Sequence, residues 1–345
     1  MSHRIKYISQ LDALRAVAAF LVIFYHYIPA FGMGTFVFGK YGVQIFFTIS
    51  GFLITAILLE QKESNSNRLK LIKNFIIKRA LRLFPIYYLV LFFFTVLSTF
   101  GFYVWKAGEG IYYYTYTTNI LFYMKDMRGI QLNHLWTLAV EEQFYLVWPL
   151  LLLFFPRKKE WILILLFILT SLTYKIVTTH INYNMLTVSH FDTLGTGAML
   201  AYLLKQNYLE QIKTYVTFFI FLIILLLLTY YLLNRFDIAN ANSNSFLVLI
   251  LSAVLVFGCN VGFKGAFGKV LDLKILKYFG QISYGLYLYH KFIPYFLKLF
   301  IDKLDIQIHA YVLMSVSIIL TILISHISYQ FIEKRFILLK EKFDL

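Results

Sequence analysis

The chain has 345 residues, 60% of them hydrophobic and 14% charged, with a mean hydropathy of +0.71. Soluble domains carry about 25% charged residues, and a water-soluble fold has too much surface to hide this much apolar material, so lipid is the solvent. The net charge of +15, from 32 Lys and Arg against 17 Asp and Glu, would fit nucleic acid if taken alone. On so apolar a chain it reads as basic loops facing the cytoplasm and anionic lipid, and no nucleic-acid partner is expected.

The apolar runs are about 20 residues long, which points to spanning helices and not to the short alternating segments of a barrel. The expected fold is all-α, a single membrane-embedded unit over 1–345 with about ten transmembrane helices. In chain order the spans fall at 11–31, 41–60, 84–104, 135–155, 161–179, 191–204, 214–233, 246–263, 278–300 and 309–332. The first imitates a secretory signal, but it lacks a small-x-small cleavage site and is interrupted by Arg15 and His26, so it reads as a retained helix. The second carries Ser50-Gly51, a pair that permits close helix approach. Between the second and third lies a basic stretch, 61–83; between the third and fourth lies a Tyr-rich one, 105–134. The tyrosines fit an interfacial belt or a sugar-stacking surface. The sixth span is short and contains glycine, and the ninth carries a string of polar groups. The lone cysteine, Cys259, excludes an internal disulfide and reads as packing.

Placing the N-terminus inside leaves 22 Lys and Arg in inside segments against nine outside, with Arg15 within the first span. This bias predicts that both termini are cytoplasmic.

Ionisable groups inside a bilayer cost a few kcal/mol each, so each is a functional candidate. Here they are Arg15, His26, Glu141, Glu142, Asp192 and His290, with His326 and Glu333 as weaker ones. Arg15 and His26 are 11 residues apart, which returns a helix to within about 20° of the same face after a rise of about 16 Å. One stripe thus holds a cation near the cytoplasmic end, suited to a phosphate or an oxyanion, and a deeper imidazole suited to acid–base work. Asp12, three residues before Arg15, is placed to pair with it or to favour the helix dipole. Glu141 and Glu142 point about 100° apart, so only one is expected to face a given cavity; a carboxylate beside a catalytic His would orient it. Arg79 and Arg82 share a helix face and suit either lipid headgroups or a phosphorylated cofactor. Ser50 as a nucleophile would need a nearby base and reads as structural. Buried charges and short Gly-containing helices also occur on transport paths, so a transporter or flippase of a lipid-linked or small-molecule substrate is the rival class.

Five motifs, in order, resemble the acyltransferase-3 family of bacterial membrane acyltransferases: LDALRAVAAFLVIFYH with Arg15 and His26, GVQIFFTISGFLIT from Gly42 to Thr55, RALRLFP from Arg79 to Pro85, WTLAVEEQFYLVWP from Trp136 to Pro149, and GQISYGLYLYH from Gly280 to His290. Thr137 stands where the family usually has Ser, and Arg335 follows Ile-Glu-Lys where it usually has Pro. The resemblance implies a stand-alone member, without a C-terminal esterase-like domain, in the bacterial cytoplasmic membrane. It implies transfer of an acyl group, often acetyl, from cytoplasmic acyl-CoA to a hydroxyl of a cell-surface carbohydrate or other extracytoplasmic acceptor, with no metal. His26, Arg15 and Glu141 would be catalytic. Arg79, Arg82 and Arg15 would hold the donor. Asp12, Ser50, Glu142, Tyr145, Asp192, Ser283, Tyr284 and His290 would support them.

Overall fold

The computed structural model describes residues 7–34, 38–64, 67–101, 108–125, 132–209, 216–235 and 241–343. Arg4, Lys6, Lys106, Arg128 and Lys213 of the charge count, and part of the Tyr-rich stretch, lie outside them. Within the described residues every regular element is helical. The helices are α1 (Ser9–Ala30), α2 (Gly39–Glu63), α3 (Arg68–Thr99), α4 (Gly110–Tyr114), α5 (Thr118–Met124), α6 (Trp136–Phe154), α7 (Glu160–Val177), α8 (Phe191–Lys205), α9 (Val216–Arg235), α10 (Ala241–Val261), α11 (Gly265–Leu271), α12 (Lys274–Gln281), α13 (Ser283–Tyr289), α14 (Phe292–Lys303), α15 (Ala310–Ser328) and α16 (Lys334–Leu339). Among the described residues six helices are long and apolar enough to cross a membrane, and a seventh span is formed if Phe246–Val261 and Gly265–Leu271, bent by 86°, count together. The chain is an all-helical membrane protein.

Three expected boundaries differ from the structure, each for a physical reason. The third span was expected at 84, but α3 begins at Arg68. Its first half is amphipathic: Leu71, Ile72 and Phe75 are buried while lysines project outward, and an apolar-length criterion misses such a face. The Asn67 side chain caps its start, accepting from Leu69 N at 2.9 Å. The ninth span was expected to be continuous over 278–300 but is broken into α12, α13 and α14. Here Gly280 lets α12 sit against the α1 backbone, where an added Cβ would be 1.9 Å from Asp12 O. The tenth runs past 332 through a π turn, Tyr329–Glu333, into α16, which brings the chain back against α3.

Close helix crossings set the frame. At Gly51 of α2 a Cβ would lie 1.9 Å from Leu194 O of α8, and at Gly197 of α8 a Cβ would lie 2.1 Å from Thr48 O of α2. Facing glycines of this kind allow backbone-on-backbone packing. Lys62, at the end of α2, is buried and donates to Leu152 O at 2.8 Å, Phe155 O at 2.7 Å and Glu160 Oε1 at 2.8 Å. It thereby satisfies carbonyls at the C-terminal end of α6 and ties α2 to α7. Leu89, Phe92 and Phe93 of α3 and Leu146, Val147 and Leu150 of α6 are exposed on the outer faces, as lipid-facing positions would be.

Candidate active site

α1, α2, α3, α6 and α13 surround one cavity of about 730 Å³, including the space at its mouth. α1 contributes Arg15, α2 Phe46, Phe47 and Ser50, α3 Arg79 and Arg82, α6 Thr137, Glu141 and Tyr145, and α13 Ser283, Tyr284 and Tyr287. Glu141 lines it and Glu142 does not.

Three guanidiniums define one end. Arg15 pairs with Asp12 at 3.0 Å, as the three-residue spacing suggests, and the Tyr7 hydroxyl donates to the other Asp12 oxygen. Arg79 lies over the rings of Phe75 and Tyr145, 5.4 Å from each centroid. Among the described residues neither Arg79 nor Arg82 has an ion-pair partner within salt-bridge distance. The π turn buries Glu333. Just beyond the last span, the Lys340 ammonium is held down to about 7 by burial and by the cations Arg82, Arg79 and Lys78. Planar guanidiniums match phosphate geometry.

Ser50, Glu141 and Tyr145 form a hydrogen-bonded set beside the arginines. Ser50 Oγ donates to Glu141 Oε1 at 2.7 Å and lies 3.1 Å from Tyr145 Oη. The Tyr145 hydroxyl also hydrogen-bonds the Glu141 carboxylate, so both hydroxyls converge on it. Tyr284 is anchored by its hydroxyl donating to Leu83 O at 2.9 Å.

At the far end the Thr137 and Tyr287 hydroxyls meet at 2.5 Å, and Tyr287 also donates to His134 O at 3.2 Å. Behind this pair lies a histidine cluster. The His26 and His290 rings are 5.0 Å apart, as are those of His290 and His134. His134 is buried and belongs to this cluster. No local pattern marks it, because only tertiary packing brings α6 to α13.

The expected stripe of Arg15 and His26 is therefore divided. Arg15 lines the cavity and His26 does not. Glu141 is hydrogen-bonded to Ser50 and Tyr145, while His26 Nδ1 is 2.9 Å from Val22 O and 3.2 Å from His290 Nε2. Asp192 is also away from the cavity. It pairs with Lys175 at 2.6 Å and accepts from Thr193 N at 2.8 Å at the start of α8. Among the described residues Glu142 is buried with no hydrogen-bond partner to its Oε1.

The family model described as an acyltransferase domain, that of the acyltransferase-3 family, matches residues 8–328. A Staphylococcus aureus (strain COL) protein, named provisionally as an O-acetyltransferase, is 30% identical over 358 residues, covering 96% of this chain and 58% of its own length. The O-acetyltransferase OatA of Staphylococcus aureus strain NCTC 8325 / PS 47 is 30% identical over 355 residues, covering 95% of this chain and 57% of its own. OatA of strain COL matches to the same extent. The chain thus spans a little over half the length of these relatives. No solved structure matches.

Proposed function

Because this chain belongs to the acyltransferase-3 family of membrane acyltransferases, we propose that it moves an acyl group, acetyl by likeness to its relatives, from acyl-CoA to a hydroxyl. The acceptor is a cell-surface carbohydrate or another extracytoplasmic molecule, and the protein sits in the bacterial cytoplasmic membrane with both termini inside. The observation that carries this reading is the cavity with three guanidiniums at one end and a histidine cluster beyond the other.

Arg15, Arg79 and Arg82 bind the donor's phosphates. Glu141 holds the Ser50 and Tyr145 hydroxyls, and the Tyr145 ring lies beside the Arg79 guanidinium; Glu141 thus shapes the cradle. His26 is about 16 Å from Arg15 along α1, a separation that an elongated donor spans, with charge at one end and a thioester at the other. The Thr137–Tyr287 pair lies along this path. At His26 the acceptor hydroxyl attacks the thioester carbonyl carbon, the imidazole takes the hydroxyl proton, the carbon–sulfur bond breaks and the thiolate takes that proton.

The test uses purified protein with radiolabelled acetyl-CoA. Wild type should release CoA and transfer label, and His26→Ala, inserted normally, should lower the rate at least 100-fold. A fully active His26→Ala protein would remove His26 from the chemistry. Mass spectrometry of surface glycans with and without the gene should show the loss of an acyl group.

A further inference from the structure

His26 and His290 meet in a way that fixes hydrogen positions. His26 Nδ1 is 2.9 Å from the Val22 carbonyl, one turn back on α1. A carbonyl only accepts, so in the neutral ring Nδ1 carries the hydrogen and Nε2 the lone pair. His290, at the end of α13, is completely buried, and its Nδ1 is 2.5 Å from the Tyr287 carbonyl. By the same reasoning His290 Nδ1 carries a hydrogen, which leaves a lone pair on Nε2. That lone pair lies 3.2 Å from His26 Nδ1. One N–H of His26 is thus shared between a carbonyl on its own helix and an imidazole from α13.

We propose that His290 is the positioning residue for His26: it holds the His26 ring in the tautomer whose Nε2 is free to take the acceptor's proton, and it steadies the imidazolium that results. This rests on the reading of His26 as the acid–base group. The role resembles that of the carboxylate in hydrolase triads, where the orienting group sets tautomer and ring direction, but the acceptor here is neutral. When Nε2 gains the acceptor's proton, the positive charge on the ring strengthens the shared Nδ1–H bond to both acceptors. When Nε2 gives that proton to the departing thiolate, both rings return to their starting tautomers, so the cycle needs no other proton donor.

The surroundings keep His290 in this state. Its ring packs against His134 and Tyr287, with centroids at 5.0 and 5.5 Å. His134 Nε2 is 3.0 Å from Leu288 O, so the hydrogen on that nitrogen is directed to the α13 backbone. The other groups facing His26 are Tyr25 on its own helix, ring edge to ring face at 5.1 Å, and Lys291 after α13, which donates to Asn133 Oδ1 at 2.5 Å. Among the described residues no carboxylate contacts either ring.

Steady-state kinetics of His290→Gln and His290→Leu in the purified full chain test the proposal. Gln keeps an acceptor oxygen within reach of His26 Nδ1, and Leu fills the space without one. Leu should lower kcat about 10-fold or more, by analogy with lost orienting partners of functional histidines, and leave the KM for acetyl-CoA within about twofold; Gln should recover most of kcat. Nitrogen NMR of labelled histidine should find His26 protonated at Nδ1 in wild type and a mixture of tautomers in the Leu protein. The proposal is overturned if the Leu protein keeps full kcat, if Gln and Leu fall equally, or if both lose donor binding, since His290 would then be scaffold. A wild-type protein inert toward acetyl-CoA would instead overturn the functional reading itself.

Discussion

Arg79 depends on its shape as much as on its charge. The guanidinium carbon lies 5.4 Å from the centroids of the Phe75 and Tyr145 rings, and an ammonium would keep the charge but lose the forked contact with phosphate. Arg79→Lys should therefore raise the KM for acetyl-CoA about 10-fold, or about 1.4 kcal/mol, with a smaller effect on kcat; an unchanged KM would take Arg79 out of the donor cradle. Lys340 supplies a pH dependence. Its ammonium is held down to about 7 by burial and by Arg82, Arg79 and Lys78, so free enzyme loses this charge as pH rises through 7. A bound phosphate favours the charged form, hence donor binding takes up a proton and weakens above pH 7. The KM for acetyl-CoA should rise from pH 6 to pH 8, and Lys340→Ala should flatten that rise; a profile of equal slope in the variant would exclude Lys340. Sequence reasoning picked out Arg15 and Glu141 as charges inside apolar spans and Arg79 and Arg82 as a basic pair on one helix face, and all four line the cavity. It did not find Lys340, which follows the last apolar run and reaches α3 only through the π turn. Nor did it find the partner of His26, because spacing along one helix says nothing of what the neighbouring helix offers.

Helix by helix, apolar length marks where α1, α2, α6, α7 and α15 run, but close approach decides how they meet. Gly280 is the clearest case at the site. An added Cβ would strike the Asp12 carbonyl at 1.9 Å, whereas at Gly285 it would meet Ser325 Cβ at 3.2 Å. Gly280→Ala must push α12 away from α1, and Asp12 holds Arg15. The variant should lose donor affinity along with about 2–3 kcal/mol of stability, seen as a lower Tm and a higher KM, while Gly285→Ala should change both little. Equal behaviour of the two would show that the α1–α12 contact yields easily. The broken stretch 274–303 and the early start of α3 were hidden from sequence for one reason. Both depend on partly polar faces that find buried partners only in the assembled bundle, and a hydropathy window averages such faces away.

On the scale of the molecule, the two chemical centres lie at opposite ends of α1. The guanidiniums gather where α1 begins and α3 has run about three turns, and the histidines gather where α1 ends and α6 begins. If the basic loops face the cytoplasm, the donor enters from the side that supplies acyl-CoA and the imidazole opens toward the side that holds the acceptor. A chemical step at the outer end then needs only the thioester arm to cross, and the phosphates stay inside. Labelling from the two sides tests this directly. Cys259 is buried, so background is low and exposed probe positions are available in Lys159, before α7, and Lys125, after α5. In intact cells a membrane-impermeant maleimide should label Lys125→Cys and leave Lys159→Cys untouched until the membrane is opened. The reverse pattern would put the arginine cradle outside, away from cytoplasmic acyl-CoA, and labelling of both in intact cells would place the two loops on one side and break the alternation that carries the donor end and the acceptor end to different faces.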